Sequence, residues 1–320
     1  MIVLDQLKKN LLNRYSVAPL VIFFAALLWA TDTPFRDYLI KHQKLTSLTI
    51  VTWEHMIDVV FCLPILFWVR NELRSLKPKQ WCGLLLVGAG SSALATLAFT
   101  ESFKYVSPSV ALLLQKLQPF FAVTFAWLFL HERFTRKFWV YAGLAVLAAY
   151  VITFAGFTPK LYEGDVLRAT FYGTFLAIVA CLLWGAGTVV GKRLLKDISF
   201  AKVTILRFGF GFLLLFIWNS VAGTTEELFR VTPTDLGYLL LMSIISGLVA
   251  LFSYYWALRF TRASIATFAE LGYPLAAVLL NWWLLQYSLN WYQIGGAGVL
   301  LLSVFMLTKE NRTSNIPVTH

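Results

Sequence analysis

The chain has 320 residues, of which 59% are hydrophobic and 13% charged, and its mean hydropathy is +0.71. Soluble domains carry about 25% charged residues, so a water-solvated globule is excluded. Apolar runs of about 20 residues recur along the chain, matching a hydrocarbon core about 30 Å thick. The net charge of +11 then reads as cytoplasmic-loop Lys and Arg rather than a nucleic-acid surface.

Taken in chain order, the apolar runs predict an all-α polytopic membrane protein with ten transmembrane spans. They cover residues 17–38, 47–69, 81–100, 108–130, 138–156, 171–191, 200–222, 236–258, 263–285 and 290–308. Residues 1–16 precede them as a cytoplasmic segment, 158–170 form a polar linker, and 309–320 a cytoplasmic tail. Lys8, Lys9 and Arg14 resemble the basic start of a signal peptide, but no small-residue cleavage site follows, so an uncleaved first helix is expected. With the N-terminus inside, 18 of the 27 Lys and Arg fall on the inner side and seven on the outer. Both termini are therefore expected in the cytoplasm of a multi-pass protein of the cell inner membrane.

The chain also resembles itself. Leu27-Leu28-Trp29-Ala30 returns 155 residues later as Leu182-Leu183-Trp184-Gly185, and the same shift carries Pro119 onto Pro274 and Gly143 onto Gly298. In the second span a shift of 152 places His55 on Arg207. The repeat, residues 17–157 and 171–308, holds five spans. An odd number inverts the second copy, predicting an inverted-topology repeat of the kind that builds carriers with a midplane substrate site.

These features, together with Leu130-His131-Glu132 closing the fourth span, resemble the EamA family of the drug/metabolite transporter superfamily over nearly the whole chain. The resemblance implies a ten-helix carrier of small metabolites, often amino acids, without an ATPase domain. It also implies a central cavity lined largely by the first, third and fourth spans of each half. Two departures stand out. His55-Met56 stands where the second half has Arg207-Phe208, and Glu132 has Tyr287 at its equivalent position.

An ionised side chain at bilayer depth costs about 2.5–3.5 kcal/mol on insertion scales, so each needs a partner or a wet cavity. The residues concerned are Asp32, Glu54, His55, Asp58, Lys116, Arg207 and Glu270. Glu54 and Asp58, four apart, share a helix face, with His55 about 100° round it. Matched depth predicts the pairs Glu54 with Lys116 and Arg207 with Glu270, structural or in the transport pathway. Asp58, without a basic partner, and Glu54 are the candidates to take up a coupling proton, a role His55 could share; the alternative is a neutral carboxyl hydrogen-bonded to a neighbouring helix. Gln115, Lys116 and Gln118 before Pro119, and Glu270 and Tyr273 before Pro274, form the candidate substrate region, because each proline frees a carbonyl one turn earlier. Asp32-Thr33-Pro34 interrupts the first span in a similar way.

Trp139, Trp218, Trp282, Trp283 and Trp291 are assigned to the interfacial belt. Trp29 and Trp184, symmetry-related, are candidates for the cavity wall, with Tyr254 and Tyr255 completing a potential cage for a quaternary amine. Gly88–Ser92 and Gly295–Gly298 permit close helix approach within the protomer or in a homodimer. Cys62, Cys82 and Cys181 are expected to be buried structural thiols, and no metal or cofactor site is expected.

HExxH, GxSxG and GxxxxGK[ST] are all absent, which argues against an intramembrane enzyme and a nucleotide-driven pump. The expected function is secondary-active transport of a small polar or zwitterionic metabolite by alternating access, either proton-coupled or by exchange. An amino acid or derivative leads, followed by a quaternary amine or a nucleoside-like cofactor. The alternatives are a channel or an intramembrane enzyme.

Overall fold

The computed structural model describes residues 2–106, 108–153, 167–276, 279 and 291–314. Among these, all regular structure is helical. The first half comprises α1 (Ile2–Trp29), α2 (Asp32–Lys41), α3 (Ser47–Leu73), α4 (Pro78–Leu85), α5 (Ala95–Ser102), α6 (Pro108–Gln115), α7 (Gln118–Leu130) and α8 (Arg136–Thr153). The second comprises α9 (Leu167–Leu194), α10 (Phe200–Ala222), α11 (Pro233–Met242), α12 (Ala250–Leu258), α13 (Ala263–Ala269) and α14 (Trp291–Ser314).

Among the described residues, seven helical stretches are long and apolar enough to cross a membrane: Arg14–Lys41, Ser47–Val69, Pro78–Ser102, Phe171–Leu194, Phe200–Ala222, Pro233–Leu258 and Trp291–Asn311. The fourth predicted span is split into α6 and α7, and the fifth is the 18-residue α8. The ninth continues past residue 276 outside the described residues, where Trp282, Trp283 and Tyr287 also lie, as do residues 158–166 of the linker and 315–320 of the tail.

Local chemistry sets several of the boundaries. Ser199 accepts from the Lys202 amide to cap α10, which stops at Gly223 in the left-handed region, φ +67°. Thr232 and Asp235 form a reciprocal capping box with Pro233 at the first turn of α11. Two third-span helices are interrupted by π-helical turns, Leu86–Leu94 between α4 and α5 and Ser243–Val249 between α11 and α12. Their ends, Leu94 and Val249, are related by the repeat shift.

The halves interlock pairwise. α1 packs on α12 and α13, and its counterpart α9 on α5 and α6; α3 meets α10, and α8 meets α14. Close approach needs glycine at the centre, since a Cβ on Gly88 would lie 2.5 Å from Phe210 Cβ and 2.8 Å from the Arg207 carbonyl oxygen. Within the Gly88–Ser92 stretch this is contact inside the protomer. Gly296 packs against Ile152 in the same way, whereas Gly295 and Gly298 face open space. Trp139, Trp218 and Trp291 are exposed, as an interfacial belt requires. The cysteine expectation needs one correction: Cys62 and Cys181 are buried, but Cys82, near the start of α4, is exposed.

Gly88→Ala should destabilise the protein by about 1–3 kcal/mol, the usual cost of overpacking. Gly90→Ala, whose added carbon meets nothing within 4 Å, should leave it unchanged. Thermal unfolding of the detergent-purified variants tests the contrast.

A central cavity between the two halves

A cavity of about 1230 Å³, counting its open mouth, lies where the halves meet. Its wall takes residues from the first, third and fourth spans of each half. The second spans contribute as well, through Glu54, His55 and Asp58 on α3 and Arg207 and Phe208 on α10. The resemblance had not assigned them this role.

Two broken helices supply much of the polar surface. Pro119 lacks the N–H that would bond the Gln115 carbonyl, so α6 ends at Gln115 and helix resumes at Gln118. Gln115, Lys116 and Gln118 thereby line the cavity. In the second half α13 ends at Ala269 with Glu270 as its cap, and the chain re-enters helix at 272, ahead of Pro274. Glu270, Leu271 and Tyr273 line the opposite wall. The π-helical turns add Ser91 and Ser92 from one half and Ser243, Ser246 and Gly247 from the other, consistent with the frequent use of π-turns at functional sites.

The predicted ion pairs are not formed. Glu54 is held by Arg36 in a two-pronged bridge, Nη1 to Oε2 at 3.0 Å and Nη2 to Oε1 at 2.6 Å. Arg36 also reaches Asp32 at 2.9 Å and Thr100 at 2.8 Å. Arg36, one of the seven cations counted on the outer side although it falls at the end of the predicted span 17–38, is only 3% exposed. The cause is the break after Trp29, which starts a new helix at Asp32 and sets Asp32 and Arg36 one turn apart on it. That spacing was the sequence signal for the bridge.

Arg207 likewise bonds no acid. Its Nε donates to Ser92 Oγ at 3.1 Å, Nη1 to the Tyr255 hydroxyl at 2.9 Å and Nη2 to the Ser91 carbonyl at 3.4 Å. His55, the repeat counterpart of Arg207, meets the same Ser92 Oγ at 3.0 Å through Nε2 and the Val51 carbonyl at 2.9 Å through Nδ1. A carbonyl only accepts, so Nδ1 carries the proton and Nε2 accepts from Ser92. Glu270 instead accepts from Gln118 Nε2 at 2.6 Å and from the Tyr254 hydroxyl at 2.8 Å. This carboxylate is thus bonded across the interface between the halves.

Lys116 is 7% exposed and has no ion pair or hydrogen bond among the described residues; its Nζ stands 5.4 Å from the Tyr273 ring centroid. Tyr273 is hydrogen-bonded through its hydroxyl to Thr33. Asp58 is buried against Gly247, and its Oδ1 has no hydrogen-bond partner among the described residues. Trp29 packs on Tyr254 and Trp184 on Phe99, each pair with ring centroids 5.2 Å apart, and all four rings line the cavity. Tyr255 does not join this wall, since it is turned toward Arg207. No group of three or more His, Cys, Asp or Glu able to hold a metal occurs among the described residues.

At the far end of the fourth span stands Glu132, the last residue of Leu130-His131-Glu132 and without an acidic counterpart in the second half. Its carboxylate accepts from the Ala263 amide at 2.8 Å, the Ser264 amide at 3.3 Å and the Ser264 hydroxyl, and Arg262 Nε lies 3.5 Å away. It ties the end of α7 to the start of α13.

Arg36→Leu would strand Glu54 in the protein interior. A loss of about 3–5 kcal/mol is expected, with substantial recovery in the Arg36→Leu/Glu54→Leu double variant. Thermal unfolding of both variants measures the difference.

The EamA-like transporter family matches this sequence twice, over residues 16–154 and 171–309. The riboflavin transporter ImpX of Fusobacterium nucleatum is 28% identical over 91% of this chain and 97% of its own. A riboflavin transporter of Rhizobium johnstonii is 26% identical over 95% of each chain, and an uncharacterised transporter, YcxC of Bacillus subtilis, is 24% identical over 92% and 96%. One solved crystal structure superposes with a TM-score of 0.72 over 94% of this chain and 99% of its own, at 14% identity, which speaks for the fold alone. The names of the family and of these relatives point to transport rather than catalysis. With both halves matched over most of its length, this multi-pass membrane protein belongs to the EamA-like transporter family.

Proposed function

We propose that the protein is a secondary carrier of a flavin, with riboflavin as its substrate. The observation that carries this reading is the composition of the cavity wall. Aromatic faces from Trp29, Phe99, Trp184 and Tyr254 stand beside the polar groups of Gln115, Lys116, Gln118 and Glu270, as suits a planar heteroaromatic ring with a polar edge and a hydroxylated arm. The names of the relatives from Fusobacterium nucleatum and Rhizobium johnstonii favour the same substrate.

In this reading ten spans form two inverted five-helix repeats, residues 17–157 and 171–308, joined by 158–170, with both termini in the cytoplasm of an inner-membrane protein. Rocking of one half against the other exposes the cavity to each side in turn. The pairwise interlock of repeat-related helices supports this arrangement. Asp58, buried with an unsatisfied oxygen, is the proton acceptor of a coupled cycle.

A second reading, transport of an amino acid, is favoured by one feature. Lys116 and Glu270 offer opposite charges, neither bridged to an oppositely charged residue among the described residues, to a zwitterion's carboxylate and ammonium.

Riboflavin at 100 times its dissociation constant should stabilise the purified protein by about 2.7 kcal/mol, read as a rise in its unfolding temperature. A rise with amino acids and none with riboflavin would reverse the order of the two readings. For the coupling step, Asp58→Asn in proteoliposomes should flatten the dependence of uptake on pH. An active variant with the wild-type profile removes Asp58 from the cycle.

A further inference from the structure

The cavity wall carries three cations, and two of them are committed. Arg36 is bound by Glu54, Asp32 and Thr100, and Arg207 by Ser92, Tyr255 and the Ser91 carbonyl. Lys116 alone among them has no protein hydrogen bond or acid among the described residues, although it is 93% buried, being 7% exposed. A desolvated ammonium without a hydrogen bond or counter-ion is unfavourable, and the Tyr273 ring 5.4 Å away and the position immediately after the last residue of α6, at the negative end of that helix, offset only part of the cost. The adjacent Gln115 carries a second unsatisfied group, since its Oε1 has no hydrogen-bond donor among the described residues. Consecutive residues at the helix break therefore offer a donor and an acceptor that the protein itself does not use.

We propose that Lys116 is the specificity-determining residue of this cavity, donating to the electron-rich carbonyl edge of the flavin's pyrimidinedione ring. Gln115 accepts from the neighbouring imide N–H. The inference rests on the flavin reading above. A flavin phosphate would also attract a lysine, but the wall disfavours it. A phosphate dianion calls for several donors, preferably paired Arg. Both arginines here are already bonded, and the carboxyls of Glu270 and Asp58 share the same cavity. A carbonyl bearing partial charge is served by one ammonium.

The test measures binding to the full-length purified protein by quenching of flavin fluorescence. The ligands are riboflavin, riboflavin 5′-phosphate and 2-thioriboflavin, whose sulfur is a weaker acceptor than the oxygen it replaces. Wild type is compared with Lys116→Met and Lys116→Arg. Lys116→Met should bind riboflavin ten- to a hundredfold more weakly, the scale of a lost charged hydrogen bond, and Lys116→Arg should fall between. Wild type should prefer riboflavin to the 2-thio analogue about tenfold, and Lys116→Met should show no preference. Without ligand, Lys116→Met should unfold at or above the wild-type temperature, because the ammonium removed was desolvated with no hydrogen bond or counter-ion among the described residues, a cost its contact with the Tyr273 ring offsets only in part.

A preference that persists in Lys116→Met overturns the assignment while leaving the flavin reading intact. A wild-type preference for the 5′-phosphate that Lys116→Met abolishes also overturns it, reassigning the lysine to phosphate. Lower thermal stability of Lys116→Met with unchanged affinity makes the lysine structural. Failure of wild type to bind any of the three ligands overturns the flavin reading and this inference together.

Discussion

Hydrocarbon offers no hydrogen bond, so every charge and every loose backbone group that this protein places at membrane depth has to be satisfied from within. The bridge from Arg36 to Glu54 and Asp32 is the clearest response. It joins the short helix beyond Trp29 to the second span, and Thr100 ties the third span to the same guanidinium. Three helices of the first half are thus fixed around one buried cation on the cavity wall. On the other wall Arg207 gathers Ser91, Ser92 and Tyr255, and Ser92 passes the contact on to His55. Much of the polar lining is bonded across helices in this way.

The same constraint explains where the cavity opens. Proline at 119 and 274 ends helical hydrogen bonding at repeat-related points, and unwound backbone is tolerated in a membrane protein only beside water or protein. Two interrupted helices facing one another therefore require a polar space between them. The π-helical turns of the third spans add to it by turning Ser91, Ser92, Ser243 and Ser246 toward that space.

The architecture is nearly symmetric and the chemistry is not. His55 answers to Arg207, Gln115 to Glu270 and Lys116 to Leu271, so one wall carries a cation without a counter-ion among the described residues where the other carries an apolar side chain. Glu270, bonded to Gln118 from the opposite half, couples the two walls directly. Glu132 couples them again at the other end of the fourth span through Ala263 and Ser264. In the proposed carrier, the symmetric scaffold serves the two-sided motion and the asymmetric residues serve recognition.

Much of this was legible in the sequence because it follows from local chemistry. Hydropathy marked the helices, the shift of 155 residues marked the repeat, proline marked the two breaks, and the symmetry of Trp29 and Trp184 marked them as cavity residues. What the tertiary structure decided was which charges meet. Equal depth suggested Glu54 with Lys116 and Arg207 with Glu270, but depth says nothing about the direction a helix face turns or what stands nearer. A break of two residues after Trp29 brought Arg36 inward and gave Glu54 a closer partner than Lys116. The π-helical turns had no sequence mark, and Cys82 lay in an apolar run yet faces outward. Composition and periodicity act along the chain, whereas pairing depends on the angles at which helices cross, and those are set only when the two halves pack together.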